Sequence, residues 1–177
     1  MAGTGLAHPH PRTLVTLTHD PTPHAPRAAG GYNGAMSIMT ERDRAAVRKE
    51  FERLTGPVKL VVFSQELQAG DLCRQNESLV REVAELSDQI AVEVLNLAID
   101  RERVQTYGVE QVPAIVVEGA RDYGIRFYGV PLGYEFSNLI DAIVLASTGQ
   151  PVLAEETLAS LRTLAADVDI KVFSTPT

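Results

Sequence analysis

The chain has a single cysteine, Cys73, placed after an apolar segment and a short loop. Residues 58–63 are nearly all apolar, which predicts a buried strand, and residues 64–71 form a loop before a helix that begins near Leu72. The N–H groups and dipole of a helix N-terminus stabilise a thiolate, so thiol–disulfide chemistry is commonly housed at such a position. One cysteine cannot form an intramolecular disulfide, so this thiol would act with a partner or not at all.

Composition and charge exclude several classes of function. The 177 residues are 45% hydrophobic and carry a net charge of −7, without a basic stripe, which argues against nucleic-acid and anionic-membrane partners. No apolar run approaches the roughly 20 residues of a membrane span. A single cysteine excludes a secreted disulfide framework and fits a reducing compartment, so we expect a cytoplasmic protein that needs no cofactor or metal.

The positions of the histidines narrow the chemistry further. All four histidines lie within the first 24 residues: His8, His10, His19 and His24. The rest of the chain therefore cannot form a Ser-His-Asp triad or a histidine-ligated zinc site. No paired carboxylates stand out from ordinary helix faces, so most hydrolase mechanisms are excluded.

Residues 1–39 differ in composition from the rest and hold five of the ten prolines. They show no helical period, which predicts a disordered tail. Met36 and Met39 precede the first periodic segment, so a mis-assigned start codon also explains the tail. A histidine-rich metal-binding tail is the alternative, although prolines interrupt its irregular spacing.

The thiol must be positioned by the segment of residues 40–150. Thr40 to Asp43 form a capping-box pattern that opens a helix, and β-α-β-α-β-β-α patterns follow it. Within these patterns, Asp100 is expected to cap a short helix that Gly108 closes. A strand–helix–strand unit followed by a hairpin predicts an α/β fold with a mixed four-stranded sheet and helices on both faces.

An internal repeat is present near the C-terminus. Residues 58–64 (VKLVVFS) align with residues 168–174 (VDIKVFS), and apolar positions of the preceding helices match at the same offset. The repeat predicts that residues 151–177 form the first helix and strand of a second, truncated copy. Exposed apolar side chains on that copy would promote self-association.

These segments resemble a known family over residues 40–177. The most specific stretches are residues 56–60 (GPVKL), 79–87 (LVREVAELS), 112–114 (VPA) and 123–131 (YGIRFYGVP). They are similar to the N-terminal unit of glutaredoxin-like protein disulfide oxidoreductases of archaea and bacteria. They also resemble the tandem thioredoxin-fold N-terminal domain of flavoprotein peroxiredoxin reductases. The resemblance implies a thioredoxin/glutaredoxin fold and, directly after a segment like residues 174–177, a C-P-x-C pair in the second unit.

The resemblance also assigns roles around the cysteine. The helix of residues 79–87 in register places Cys73 on the second, resolving cysteine of the family's C-x-x-C and Gly70 on the missing nucleophile. An alternative register, which needs a longer loop, makes Cys73 the nucleophile of Cys73-Arg74-Gln75-Asn76. A third interpretation is that Cys73 is an inert apolar side chain. The family also implies a cis bond between Val112 and Pro113, beside the thiol loop, where substrate peptide binds; otherwise Pro113 only opens an edge strand.

Three functions follow from these interpretations. In the first, the parent protein is a dithiol–disulfide oxidoreductase acting on protein thiols in redox homeostasis, and this chain is an inactive part of it. In the second, the chain is a redox-inactive docking module for a peroxiredoxin or a flavoprotein reductase. In the third, Cys73 is a lone reactive thiol.

Overall fold

The computed structural model describes residues 37–166, 168 and 170–174. In chain order the described residues form helix α1 (Glu41–Phe51), strand β1 (Val58–Ser64), helix α2 (Glu66–Ala84), strand β2 (Ile90–Asn96), helix α3 (Arg101–Tyr107), strand β3 (Ala114–Glu118), strand β4 (Asp122–Tyr128) and helices α4 (Tyr134–Thr148) and α5 (Glu155–Arg162).

The four strands form one mixed sheet in the order β2-β1-β3-β4. Strand β1 is parallel to β2 and antiparallel to β3, and β3 and β4 form an antiparallel hairpin. The predicted α/β fold with a mixed four-stranded sheet is confirmed. Because β1 is central, both of its faces are covered, which explains why its sequence is a continuous apolar run.

Apolar layers cover the two faces of the sheet. The larger layer lies under α1, α2 and α4 and includes Leu60, Leu79 and Leu139. The smaller layer lies under α3 and includes Phe63, Tyr107 and Val116. Residues alternate between the layers along each strand, as the pleat of a sheet requires. The fold therefore fixes β1 firmly, together with whatever follows it.

The sheet has two ends, which we name here. At the thiol end, β1, β2 and β4 finish and β3 begins, because β2 runs parallel to β1 while β3 is antiparallel to it. At the basal end, β1 begins, β3 finishes and the β3–β4 turn lies. Helix α2 starts after β1, so its first turns and Cys73 belong to the thiol end.

Paired polar side chains close the basal end. The Glu118 carboxylate accepts from the Tyr107 hydroxyl at 2.7 Å and lies 3.1 Å from Lys59 Nζ. Desolvation lowers the pKa of Lys59, but the bonds with Glu118 and Tyr107 outweigh it, so the net pKa is raised. Arg126, on β4, pairs through both terminal nitrogens with Asp122 and donates to the Tyr107 carbonyl.

The start of α1 is as predicted, and residues 37–39 before Thr40 are also held by hydrogen bonds. Thr40 and Asp43 form the capping box. Before it, the Glu82 carboxylate accepts from the Ser37 hydroxyl and from the backbone N–H groups of Ile38 and Met39. Met39 is buried. Residues 37–39 of the predicted tail therefore make defined contacts, and residues 1–36, with the four histidines, lie outside the described residues.

Two local predictions are corrected. Helix α2 begins at Glu66, inside the predicted loop, and is interrupted at Ala69, which has φ −152° and ψ 40°. Asp100 precedes α3 without a side-chain capping bond, because its carboxylate accepts from the Asn96 N–H at 2.6 Å instead. Gly108 ends α3 in the left-handed conformation that the sequence predicted.

The C-terminal segment differs from the repeat that it resembles. Helix α5 is present where a helix was predicted, but it buries no residue. The described residues 168 and 170–174 are in no strand. A strand exists through hydrogen bonds to a neighbour, and no strand of the described sheet pairs with this segment. Its apolar side chains Val168, Ile170 and Phe173 are exposed, Phe173 to 86%, and Val172 is half-buried.

Candidate functional site

Cys73 lies in the second turn of α2 and faces the sheet. It is free and 3% exposed. Its Sγ lies 3.5 Å from the Gln65 backbone nitrogen, which donates to it, and 3.8 Å from the Gln65 carbonyl oxygen. Because Gln65 directly follows β1, these contacts hold the thiol against the end of the central strand. The thiol therefore packs inward and is closed to a bulky disulfide substrate.

The break at Ala69 makes Gly70 the first residue of the longer helical segment of α2. Gly70 is half-buried and Asp71 beside it is exposed. Apart from chain neighbours and the backbone of α2 itself, the three heavy atoms nearest to a Cβ placed on Gly70 all belong to Arg74, with Nη1 at 3.2 Å. That guanidinium is the mobile end of an exposed side chain paired with Asp71. The position that the resemblance assigns to a nucleophilic cysteine thus has room for one.

The peptide bond between Val112 and Pro113 is cis, as the resemblance implied. Pro113 is buried and directly precedes β3, whose first residue Ala114 pairs with Phe63 of β1. The Gly129 N–H donates to the Pro113 carbonyl at 2.8 Å, which holds the loop after β4 against the proline. The sheet register therefore places Cys73 and Pro113 at the same end of neighbouring strands.

Exposed apolar side chains surround this end of the molecule. Leu67 and Leu72 lie on the first turns of α2, Ile99 follows β2, and Leu132 and Tyr134 lie between β4 and α4 or at its start. Leu67 is 95% exposed, Ile99 79% and Tyr134 67%. We call these five residues the apolar rim. An exposed apolar cluster of this kind is typical of a surface that contacts another protein.

Asn76 is a candidate site residue that the sequence did not predict. It is fully buried on the same face of α2 as Cys73. Its side-chain oxygen and nitrogen have no hydrogen-bond partner among the described residues. The only signal in the sequence is a polar residue on an apolar helical stripe.

The chemical capacity of the site follows from these placements. A buried single thiol with no second cysteine cannot complete dithiol exchange. Within residues 37–166, 168 and 170–174, no three His, Cys, Asp or Glu side chains group in a way that could hold a metal ion. No helix in the described part of the chain is long and apolar enough to cross a membrane.

One curated protein shares sequence with part of this chain. It is an NADH dehydrogenase of Ferdinandcohnia aciditolerans, 32% identical over 87 residues. The match covers 49% of this chain and 15% of that protein. No family model matches the sequence.

Solved structures resemble the chain over about 70% of its length. The alkylhydroperoxide reductase component AhpF of Enterococcus faecalis has a TM-score of 0.65 and 24% identity, covering 71% of this chain and 61% of that one. A structure of its N-terminal domain gives a TM-score of 0.63 and 24% identity, with 70% and 59% covered. A protein disulfide oxidoreductase from Aeropyrum pernix K1 gives 0.59 and 22%, with 71% and 55% covered.

The chain therefore spans less than two thirds of each of these structures. At these identities the likeness shows the fold and not the activity. The chain has a thioredoxin-like fold, similar to the N-terminal domains of the alkylhydroperoxide reductase component AhpF.

Proposed function

We propose that this chain is the non-catalytic N-terminal unit of a dithiol–disulfide oxidoreductase, whose exchanging Cys-x-x-Cys pair follows Thr177. In this proposal Cys73 is the remnant of a resolving cysteine and Gly70 occupies the place of the lost nucleophile. The observation that carries the proposal is the burial of Cys73 behind a half-buried Gly70 at the start of a helix. An attacking thiolate must be accessible, whereas a resolving thiol need only reach its neighbour.

The internal repeat supports the second half of the proposal. Residues 168–174 repeat the sequence of β1, which in this fold directly precedes the thiol loop. A segment with a strand sequence but no pairing partner in the described sheet, joined to a helix that buries no residue, is what an incomplete second unit would leave.

Reduction of insulin by dithiothreitol tests the first unit. We expect no acceleration by the wild-type chain and measurable acceleration by Gly70→Cys, which restores a C-x-x-C pair. In that variant the introduced thiolate at position 70 attacks the insulin disulfide and releases one insulin thiol. The Cys73 thiolate then displaces the second insulin thiol and closes a disulfide between positions 70 and 73, which dithiothreitol reduces.

Asp71→Cys is the matched control, because it adds a thiol at an exposed neighbouring position without the C-x-x-C spacing. Acceleration by the wild-type chain would contradict the assignment of an inactive first unit. Acceleration by Asp71→Cys equal to that by Gly70→Cys would show that any added thiol suffices, and the assignment of position 70 would fail.

The reading frame beyond codon 177 tests the second unit. We expect a Cys-x-x-Cys pair within the next few codons. Its absence would contradict the proposal that the parent protein is an oxidoreductase. This outcome is independent of the insulin assay on the first unit.

The apolar rim favours a second candidate function, a docking module for a peroxiredoxin or a flavoprotein reductase. The rim surrounds the thiol end although the thiol itself is closed.

Binding to an immobilised peroxiredoxin distinguishes the two functions. A docking module binds equally well with Cys73→Ser but at least about tenfold more weakly with Tyr134→Ser, because one buried aromatic contact contributes more than about 1.4 kcal/mol. Burial of Cys73 argues against the lone reactive thiol.

A further inference from the structure

Asn76 is a polar residue in an apolar layer. Its neighbours along the buried face of α2, Leu79, Val80 and Val83, are apolar and at most 1% exposed. Asn76 is itself fully buried, and both polar atoms of its amide have no partner among the described residues. An amide offers two N–H donors and an acceptor oxygen. The described protein atoms therefore satisfy none of the hydrogen bonds that this side chain can form.

Helix geometry relates the position of the amide to that of the thiol. Asn76 follows Cys73 by three residues, so both side chains lie on the same face of α2. Side chains in a helix lean toward the preceding turn, which brings the Asn76 amide over the turn that carries Cys73. The thiol is also buried, with Gln65 as its hydrogen-bond partner.

The polar atoms of Gln65 and Cys73 form long hydrogen bonds with each other and with Ala69. The Gln65 carbonyl accepts from the Ala69 N–H at 3.4 Å and from Cys73 Sγ at 3.8 Å, and both bonds are long. Ala69, the first of these donors, is also the residue at which α2 is interrupted. The polar groups of Asn76, Cys73 and Gln65 therefore belong to one stretch of the chain, on both sides of the interruption of α2.

The free energy of burial requires a partner for the amide. A buried amide without a hydrogen bond costs about 1–3 kcal/mol in proteins, so such groups are seldom left unpaired. Internal water is the usual remedy, and a buried water typically makes about three hydrogen bonds to otherwise unsatisfied groups.

We propose that Asn76 binds one internal water molecule between α2 and the end of β1. The amide of Asn76 supplies the main contact, and Cys73 Sγ and the Gln65 carbonyl complete the site. This water site does not depend on thiol exchange, and it would exist whether or not the parent protein is an oxidoreductase. It would make the thiol end hydrated inside, whereas the remainder of the same helix face packs dry.

Proton NMR of the folded chain labelled with ¹⁵N-asparagine tests the site. The sequence has four asparagines, so four side-chain NH₂ pairs are observed, and Asn76→Ser identifies the pair of interest by its disappearance. We expect cross-peaks from the Asn76 NH₂ to water with NOE and ROE of opposite sign, the signature of water held much longer than surface water. If Asn76→Ser does not fold, backbone-linked assignment of the wild-type spectrum identifies the pair instead.

Asn96 is the control, because it is half-buried and its side-chain oxygen accepts from the Ala98 and Ile99 N–H groups. Its NH₂ should show only the weak contacts of surface water. An Asn76 NH₂ without a long-lived water contact, in a protein whose other signals are those of the folded chain, would overturn the proposal. A water contact no stronger than that of Asn96 would overturn it equally.

Discussion

The two ends of the sheet differ in the pairing of their polar groups and in the exposure of their apolar side chains. At the basal end, charged and polar groups are paired: Lys59 with Glu118, Arg126 with Asp122, and Glu82 with three donors of residues 37–39. At the thiol end, the apolar rim is exposed and the Asn76 amide has no partner among the described residues. Both ends belong to the same four strands and share their apolar layers. The difference therefore lies in the side chains at the ends of the strands and not in the core.

The difference separates stability from function. Paired groups and helix–loop clamps raise the free energy needed to open the basal end, whereas exposed apolar side chains contribute little to stability and are retained for contact. Departures from local rules of folding tend to mark functional sites. This difference supports the proposed role of the thiol end as a contact surface, although its own thiol is closed.

The largest effect of breaking the basal end is expected from Arg126→Ala. The Arg126 side chain is 6% exposed, and it bonds both Asp122 and the Tyr107 carbonyl. Its removal takes the Arg126 contacts from the Tyr107 carbonyl and from the Asp122 carboxylate, which keeps its bond from the Gly124 N–H. It should lower the free energy of unfolding by about 3 kcal/mol. Urea unfolding measures this. Arg121→Ala, which loses only a contact with the Tyr123 ring, should cost under about 1 kcal/mol. Equal losses would show that the basal network adds nothing.

A smaller loss is expected from Ser147→Ala. The Ser147 hydroxyl at the end of α4 accepts from the Thr55 and Gly56 N–H groups, each at 2.9 Å, and donates to the Gly56 carbonyl at 2.6 Å. Loss of this clamp should cost about 1–2 kcal/mol by thermal or urea unfolding. Ser160→Ala on exposed α5 is the matched control and should change stability by less than about 0.5 kcal/mol. A control as destabilising as Ser147→Ala would contradict the clamp.

Glu82 gives the basal end an acid sensitivity. Desolvation raises the pKa of Glu82, but bonds from Ile38, Ser37 and Met39 and the nearby Arg44 charge lower it below its ordinary 4.5. Because the folded-state pKa is the lower one, this stabilisation is present above pH 4.5 and is lost as the pH falls through the folded pKa. Glu82→Gln should cost about 1 kcal/mol at neutral pH and flatten the acid limb of the stability curve.

Unfolding measured from neutral to acid pH checks this prediction, with Glu85→Gln, whose side chain is 67% exposed, as the control. An acid limb unchanged by Glu82→Gln would contradict it.

The smallest effect is expected at the thiol end. Leu67→Ser removes a side chain that is 95% exposed, so the free energy of unfolding should change by less than about 0.5 kcal/mol. Leu79→Ser, on the buried face of the same helix, is the comparison and should prevent stable folding or cost several kcal/mol. Destabilisation by Leu67→Ser above about 1 kcal/mol would mean that the apolar rim is structural.

The elements of the fold were predictable because their signals are local. The capping box at Thr40, the apolar run of β1 and the glycine that ends α3 each fix a boundary by short-range chemistry. The break of α2 at Ala69 was not predicted, and it lies between Gln65 and Cys73, whose contact no local sequence pattern encodes. The burial of Met39 likewise depends on Glu82, which is more than 40 residues away.

The repeat shows the limit of local signals. Residues 58–64 and 168–174 share a strand sequence, yet the first copy is the buried centre of a sheet and the described part of the second is in no strand. The sequence pattern sets the preference, and the pairing partner decides the outcome. For the same reason the positions of Gly70 and Cys73 in the sequence predicted a type of site, whereas the exposed fraction of the Cys73 side chain could be known only from its packing.

The central claim, that this unit is non-catalytic because its thiol is closed, is tested most directly by the reactivity of Cys73 toward a thiol reagent that releases a coloured product. We predict that the folded chain at neutral pH reacts at least about 100-fold more slowly than the chain unfolded in urea, because reaction of a closed thiol requires local opening. The same chain with Gly70→Cys should gain one rapidly reacting thiol. Fast reaction of native wild-type Cys73, at the rate of the unfolded chain, would contradict the account of a closed, non-catalytic unit.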